Sequence, residues 1–160
     1  MANNPNDEVT ADGNSLPLSK ESMRINKLEY EKYASSLQHI FLTGNLQQES
    51  LHPFFYDDRV ELIYCHYQPG DDGSFHWHEA ITEYQIVISG AFGVQLADTE
   101  EKEWFLPGDV SRIRSGMCVK RIIETETITI AIKVPSIPGD KVQCESCNRN
   151  CRSRQLNSGG

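Results

Sequence analysis

The chain has 160 residues, of which 38% are hydrophobic, and it carries a formal net charge of −8 at pH 7. Its length predicts one domain with tails rather than two domains. No apolar run approaches the roughly 20 residues of a membrane span, and no basic stripe suits nucleic acid. We therefore expect neither a membrane nor a nucleic acid as a partner. The polar N-terminus and the odd number of cysteines, five, favour a reducing, cytoplasmic location.

The N-terminal part of the chain precedes the regular β pattern. Residues 1–24 are rich in Asn, Asp, Ser and Pro and predict a disordered leader. Between residues 27 and 39, three apolar side chains recur at the spacing of a short amphipathic helix, namely Leu28, Tyr33 and Leu37. The apolar run 40–42 that follows fits a short strand.

Short β-prone segments separated by turn residues fill the chain from about residue 59 to residue 134. They are 60–67, the segment around His76 and His78, 83–88, 92–96, 104–106, 110–114, 119–123 and 127–134. Seven or eight short strands, with turns about every ten residues and no alternation with helices, predict an all-β sandwich or barrel.

Two of these strands alternate in a way that defines two faces. In 127–134 the apolar residues share one face and the polar residues the other, which predicts a half-buried strand with a wet, Thr-bearing side. In 60–67, Tyr64 and His66 alternate with Ile63, Cys65 and Tyr67, and either set could line a barrel.

Three side chains that bind metals lie within eight residues. His76 and His78 are two apart, so on an extended strand both imidazoles leave the same face. Glu83 follows at the start of a β-prone run. Two imidazoles and one carboxylate suit Fe(II), Mn, Ni or Zn, so the three residues predict a divalent metal site.

The spacing of these ligands resembles the first signature motif of the cupins. Its anchors are matched by Gly70, five residues, His76-x-His78, four residues, Glu83, six residues and Gly90. The resemblance implies a cupin-type double-stranded β-helix, that is, a jelly-roll barrel, with a short N-terminal helix and flexible tails. We therefore expect one domain over 25–140 with its core at about 58–135, a polar tail at 141–160, and a homodimer.

The second cupin motif is altered in this chain. Gly108 and Gly116 match it, but Arg114 stands where Pro is usual and Val119 where the fourth metal ligand is usual. Three protein ligands leave open positions on an octahedral metal, which is the pattern of non-haem Fe(II) oxygenases.

Other functions agree with the same three ligands. A Zn, Mn or Ni ion could serve a metal-assisted isomerase, lyase or hydrolase. A non-catalytic small-molecule-binding cupin is a further alternative, and a pocket plugged by Met117, Phe75 or Trp77 would favour it. A ligand that replaces the usual fourth one could come from Gln85, His66 or Cys118.

Several further residues are candidates for contact with a small polar molecule. Arg121 is two residues beyond Val119 and shares its face, so we expect it to bind a carboxylate or phosphate. Arg114 and Gln85 are weaker candidates for substrate binding. Tyr64 and His66 are candidates for a general acid or base beside the metal.

The C-terminal region carries a second group of metal-binding residues, Cys144, Cys147 and Cys151. C-x2-C is the common half of a structural zinc site, and tetrahedral zinc needs four ligands. The fourth ligand could be a histidine or a residue of a second subunit. An iron–sulfur cluster, a redox pair and a flexible thiol-rich tail are alternatives.

Overall fold

A computed structural model of the chain describes residues 22–34, 36–46 and 52–144. Within these ranges the chain forms one helix, α1 (Lys27–Ala34), and eleven strands. The strands are β1 (His39–Gly44), β2 (Phe55–Tyr56), β3 (Glu61–Tyr67), β4 (His76–His78), β5 (Thr82–Ser89), β6 (Phe92–Leu96), β7 (Lys102–Phe105), β8 (Val110–Ile113), β9 (Val119–Ile122), β10 (Thr127–Val134) and β11 (Lys141–Gln143). Most of the predicted leader and the predicted tail beyond residue 144 lie outside the described residues.

The strands form two sheets that enclose one core. One sheet has the order β2-β1-β3-β10-β5-β8, and the other has the order β11-β4-β9-β6-β7. Side chains from both sheets pack in a single apolar cluster, for example Ile63 of β3, Phe92 of β6 and Val119 of β9. The predicted all-β, double-sheet jelly roll is therefore confirmed, and its strands agree closely with the predicted segments.

The helix prediction is confirmed in part. The helix α1 ends at Ala34 rather than near residue 39, and none of its residues is buried. Leu28, which was expected on an apolar face, is 74% exposed. The Tyr30 ring contacts Tyr64 of β3, with 5.1 Å between ring centroids. No helix in the described ranges is long and apolar enough to cross a membrane.

Two glycines of the cupin motifs are required by the backbone. Gly90 ends the turn after β5 with a φ of 79°, and a Cβ there would collide with the carbonyl oxygen of Glu126. Gly108, in the turn before β8, has a φ of 94°. Side chains rarely adopt this left-handed region, which explains why glycine stands at both positions.

The two faces of β10 are the reverse of those predicted. Thr127 and Thr129 are 0% exposed, whereas the isoleucines of the strand lie on the outer face and are partly exposed. The prediction of a wet Thr-bearing side is wrong because this face borders an interior that contains polar groups. The Thr129 hydroxyl, for example, donates a hydrogen bond to Gln85 Oε1 at 2.7 Å.

The barrel extends beyond both predicted limits of its core. The strand β11 pairs with β4, with Lys141 opposite His78 and Gln143 opposite His76. The predicted tail at 141–160 therefore begins too early, because a short polar edge strand gives no apolar signal. At the other end, β1 pairs with β3 and so belongs to the barrel, although its residues lie outside the predicted core at 58–135.

Candidate functional site

A cavity of about 200 Å³ lies between the two sheets. Its polar lining residues are His39, Tyr67, His76, His78, Glu83, Gln85, Arg121, Lys133 and Lys141. Its apolar lining residues are Phe41, Ile63, Cys65, Phe92, Val94, Ile113, Val119 and Ala131. This volume limits an occupant to a small molecule.

The three predicted metal ligands meet in this cavity. His76 and His78 lie on β4, with 5.7 Å between ring centroids and nearly perpendicular rings. Glu83 lies on β5 of the facing sheet, and its Oε2 is 3.5 Å from His78 Nε2. His78 and Glu83 are 4% and 9% exposed. The fold therefore brings together one buried imidazole, one buried carboxylate and a second, less buried imidazole.

The polar neighbours of the two histidines differ, since within the described ranges His76 makes a hydrogen bond through its ring and neither ring nitrogen of His78 does. His76 Nδ1 lies 3.0 Å from the Ser74 carbonyl, which can only accept, so Nδ1 donates and Nε2 keeps its lone pair. His78 Nδ1 faces Asp140 Oδ2 at 3.3 Å. Asp140 is itself held by the backbone N–H groups of Ala80 and Ile81. Carboxylates and carbonyls behind the ring orient metal-binding histidines in this way.

The Glu83 carboxylate is held ionised in the cavity wall. Burial raises its pKa, but the nearby His78 imidazole, the charge of Lys133 and the Gln85 amide outweigh this and lower the pKa to about 2. Gln85 Nε2 donates to Glu83 Oε1 at 2.7 Å. Because the Gln85 amide oxygen also accepts from Thr129, both ends of the amide are engaged, and Gln85 orients Glu83.

The donor set fits a divalent metal by its chemistry, although the side chains do not surround a common point. No three His, Cys, Asp or Glu side chains in the described ranges stand close enough to hold an ion together. Two imidazoles and an ionised carboxylate are nevertheless the donor types that such a metal needs. Burial, followed by the charge of Lys141, lowers the pKa of His76 to about 4, which keeps this imidazole neutral at pH 7.

The position of the usual fourth ligand is apolar. Val119 lies opposite His76 on β9, is 3% exposed and belongs to the core cluster. Of the three candidate replacement ligands, Gln85 lines the cavity, whereas His66 and Cys118 do not. The coordination position that Val119 was expected to leave open therefore faces apolar side chains.

Lys133 neutralises two buried carboxylates. It lies on β10, opposite Glu61 of β3 and Glu83 of β5. Its Nζ is 3.4 Å from Glu61 Oε1 and 3.9 Å from Glu83 Oε2. A lysine between two carboxylates can be buried at lower cost than an isolated charge.

Arg121 faces the cavity, as predicted. Its guanidinium carbon lies 4.2 Å from the centroid of the Tyr67 ring, and its Nε donates to the Asp71 carbonyl at 2.9 Å. The stacking on Tyr67 and the bond to Asp71 fix the plane of the guanidinium. Lys141 of β11 also lines the cavity and adds a further positive charge.

Tyr67 and His39 form a pair in the same cavity. His39 Nε2 lies 3.1 Å from the Tyr67 hydroxyl, and their rings meet edge to face. Burial, followed by the charge of Arg121, lowers the pKa of His39 to about 4. Burial raises the pKa of Tyr67 well above its usual value. Near pH 7 the pair is therefore a neutral imidazole and a neutral phenol.

Solved structures with a related architecture support the fold. The DMSP lyase DddQ from Ruegeria pomeroyi is 14% identical, with a TM-score of 0.56, and the match covers 82% of this chain and 61% of that one. A protein with a double-stranded β-helix domain from Klebsiella pneumoniae is 16% identical, with a TM-score of 0.56 and coverage of 78% and 99%.

The chain has the cupin fold. No protein-family model matches the sequence. A comparison with curated protein sequences gives no match either. Because 419 solved chains match this cupin barrel and one fold hosts many unrelated functions, the function has to be argued from the cavity.

Three of the predicted site residues lie outside the cupin cavity. Tyr64 and His66 are on the outer face of β3, where Tyr64 packs against Tyr30 and His66 Nε2 lies 2.7 Å from Glu126 Oε1. Arg114 is exposed in the turn between β8 and β9. None of the three side chains lines the cavity, so the structure does not bring them together with the predicted metal ligands.

Four cavity residues were not predicted as parts of the site, namely His39, Tyr67, Lys133 and Lys141, and neither was Asp140, which lies behind His78. The sequence placed Tyr67 on one of the two faces of β3 but did not show which of these faces lines the barrel. The others are separated from the cupin motifs in the sequence and give no local signal. Cys65 also lines the cavity, but burial raises its pKa to about 11 and keeps it a neutral thiol.

Proposed function

We propose that this protein is a metal-dependent enzyme that acts on a small organic anion inside the cupin barrel, with His76, His78 and Glu83 as the metal ligands. One observation carries the proposal. His78 Nε2 is buried, makes no hydrogen bond with the rest of the described chain, and faces the Glu83 carboxylate at 3.5 Å.

A divalent cation between the buried nitrogen and the carboxylate would pair both groups. The His78 ring lies between two carboxylates, Asp140 at 3.3 Å from Nδ1 and Glu83 at 3.5 Å from Nε2, and a proton on Nδ1 would leave the Nε2 lone pair facing Glu83. Two such acceptors repel each other in a buried site, and a divalent cation relieves this repulsion. A metal held there would polarise an oxygen of the bound ligand or lower the pKa of a bound water.

The charges of the cavity support an anionic ligand. Lys133 is close to Glu61 and Glu83, so its charge is balanced within the wall. Arg121 and Lys141 contribute two further positive charges, which a metal would increase. A planar guanidinium fixed on an aromatic ring suits a carboxylate or a phosphate, which it can bind through two parallel hydrogen bonds.

The Tyr67–His39 pair supports proton transfer as the chemistry. A neutral phenol can donate its proton, and a neutral imidazole at hydrogen-bond distance can take one up. This pair, next to an Arg-bound anion, favours isomerisation, elimination or hydrolysis. The side chains that would have plugged the pocket lie elsewhere: Phe75 and Trp77 pack in a separate cluster, and Met117 packs against the core without lining the cavity.

The Fe(II)-dependent oxygenase predicted from the sequence is the second candidate. The apolar surroundings of Val119 favour it, because they leave a coordination position without a protein ligand. The native metal, the homodimer and the cytoplasmic location stay predictions.

The first test is elemental analysis of the purified, untagged protein and of Glu83→Gln after reconstitution with Fe(II), Mn(II), Ni(II) and Zn(II). We expect the wild type to bind one more equivalent per chain than Glu83→Gln. Oxygen consumption with iron and a small organic acid would then support the oxygenase, whereas turnover without oxygen would support proton-transfer chemistry. Equal metal content in the two proteins would overturn the ligand assignment.

A further inference from the structure

Two cysteines that are distant in the sequence meet on the side of β4 that points away from the cavity. The Cys118 thiol donates a hydrogen bond to Cys144 Sγ, and the two sulfurs are 3.3 Å apart. Both cysteines belong to one cluster with Phe75 and Trp77, which alternate in the sequence with the two cavity histidines. Neither cysteine lines the cavity. This thiol pair is therefore separate from the site proposed above.

We propose that Cys118 and Cys144 form a reversible oxidation site, at which a small-molecule disulfide such as oxidised glutathione converts the two thiols into one protein disulfide. Cys144 is only partly buried, whereas Cys118 is 3% exposed. Thiol–disulfide exchange depends on access of the attacking sulfur to the small disulfide. Cys144 is therefore the cysteine that reacts first, and Cys118 is the one that completes the bond.

The exchange balances in two steps. In the first step, the Cys144 thiolate attacks one sulfur of the small disulfide, which forms a mixed disulfide and releases one small thiolate. In the second step, the Cys118 thiolate attacks Cys144 Sγ, and the other small thiolate leaves. The two cysteine protons end on the two released thiols, so the cysteines lose two electrons and the small disulfide gains them. An excess of small thiol reverses both steps, so a reducing compartment keeps the pair as a dithiol.

The Cys118 sulfur is already placed for the second step. A disulfide bond is about 2.05 Å long, so the two sulfurs have to approach by roughly 1.3 Å. Cys144 lies one residue beyond the end of β11, which is the edge strand of its sheet. A residue at the end of an edge strand can take up this movement while the buried Cys118 stays in place.

A disulfide at this point would hold β11 in its sheet. The strand β11 has three residues and lies beside β4, at the edge of the sheet. Cys118 directly precedes β9, which is on the other side of β4. The bond therefore joins the two strands that flank β4, and β11 can no longer open locally by itself. Because Lys141 of β11 lines the cavity opposite His78, oxidation also fixes this part of the cavity wall.

The first test is equilibration of the metal-free, full-length protein in glutathione buffers of increasing disulfide content, followed by acid quenching, alkylation and peptide mass spectrometry. We expect a peptide that links Cys118 to Cys144 as the main oxidised product. Cys118→Ser should keep Cys144 reduced in the buffer that oxidises half of the wild type, because the second thiol is missing. Cys65→Ser is the matched control, since it removes a buried thiol from the cavity lining and should leave the link unchanged.

The second test measures the effect on the edge strand. Hydrogen exchange of the β11 amides should be at least tenfold slower in the oxidised wild type than in the reduced wild type. The same buffers should leave this exchange unchanged in Cys118→Ser. The amides of β7, at the other edge of the same sheet, are the internal control and should exchange equally in both forms.

Two results would overturn the proposal. One is oxidation that joins Cys144 to Cys147 or Cys151, the other cysteines of the predicted C-terminal metal site, which lie outside the described residues. The other is a Cys118–Cys144 link that leaves hydrogen exchange of β11 unchanged. If Cys118→Ser does not fold, Cys144→Ser replaces it, and Cys118 should then stay reduced in the same buffers because it is buried. Ready oxidation of Cys118 in that variant would contradict the proposed order of attack.

Discussion

In the six-stranded sheet the polar side chains lie on the inner face and the apolar ones on the outer face, which is the reverse of an ordinary half-buried sheet. On β10 the inner face carries Thr129 and Lys133, both bonded to polar partners in the cavity wall. The outer face carries Ile128 and Ile130, which are partly exposed. The polar residues face inwards because the barrel surrounds a cavity with polar lining residues.

The neighbouring strand β3 also has an inner and an outer face, and each face carries residues of a type that can take part in catalysis. His66 on the outer face pairs with the exposed Glu126, and Tyr64 packs against the helix α1. Tyr67 on the inner face contacts His39 and Arg121. A tyrosine or a histidine therefore gains a possible role in the chemistry from the face it occupies and not from its residue type.

The largest effect should separate an inner from an outer histidine. We expect His78→Ala to lose about one equivalent of metal per chain, because it removes the buried ligand nitrogen that faces Glu83. His66→Ala removes the same side chain from the outer face and should keep the wild-type metal content. Elemental analysis of both folded variants measures this difference. Equal contents in the two variants would contradict the assignment of the inner face.

The next effect should separate two arginines. Arg121→Gln and Arg114→Gln remove the same charge, but only the first comes from the cavity lining. A charge-assisted hydrogen bond contributes about 1.5–3 kcal/mol, so Arg121→Gln should weaken binding of malonate or inorganic phosphate by roughly 10- to 100-fold. Arg114→Gln should change it less than about twofold. Calorimetric titration of the metal-loaded proteins tests this, and similar losses for both would show that the guanidinium of Arg121 makes no specific contact.

A third comparison concerns stability and the wall of the cavity. Thr129→Val keeps the shape of the side chain but leaves the buried Gln85 Oε1 without its donor, which should cost about 1–3 kcal/mol of unfolding free energy. On the outer face, Ile130→Val removes one partly exposed methylene group and should cost less than about 1 kcal/mol. Urea denaturation of both variants gives the two values. A cost for Thr129→Val no larger than that for Ile130→Val would mean that the Gln85 hydrogen bond contributes little.

The strands and the first metal ligands could be predicted from the sequence, but the other residues of the cavity could not. The positions of His76, His78 and Glu83 followed from a local motif, and Arg121 from its two-residue spacing to Val119. Alternation in β3 and β10 gave two faces without their direction, because the inward face depends on what the whole barrel encloses. Asp140 and Lys141 reach the cavity region through the pairing of β11 with β4, which no local pattern in a short polar strand predicts.

The smallest predicted effect is a pH dependence of the free energy of unfolding. It comes from His39, whose ring contacts Tyr67 inside the barrel. Its pKa is about 4 in the folded protein, below the usual 6.5, so between these values the unfolded chain binds a proton that the folded chain does not. The stability due to His39 is therefore complete above pH 6.5 and is lost as the pH falls towards 4.

We expect His39→Gln, which keeps a polar partner for Tyr67, to remove this component. Urea denaturation of the metal-free proteins at pH 7 and pH 5 should show that the wild type loses about 1–2 kcal/mol more than the variant, a value reduced for partial exposure to solvent. His76 has a pKa shifted in the same direction, so His39→Gln should keep some sensitivity to acid. Parallel losses in both proteins would show that His39 is protonated as easily in the barrel as in the unfolded chain.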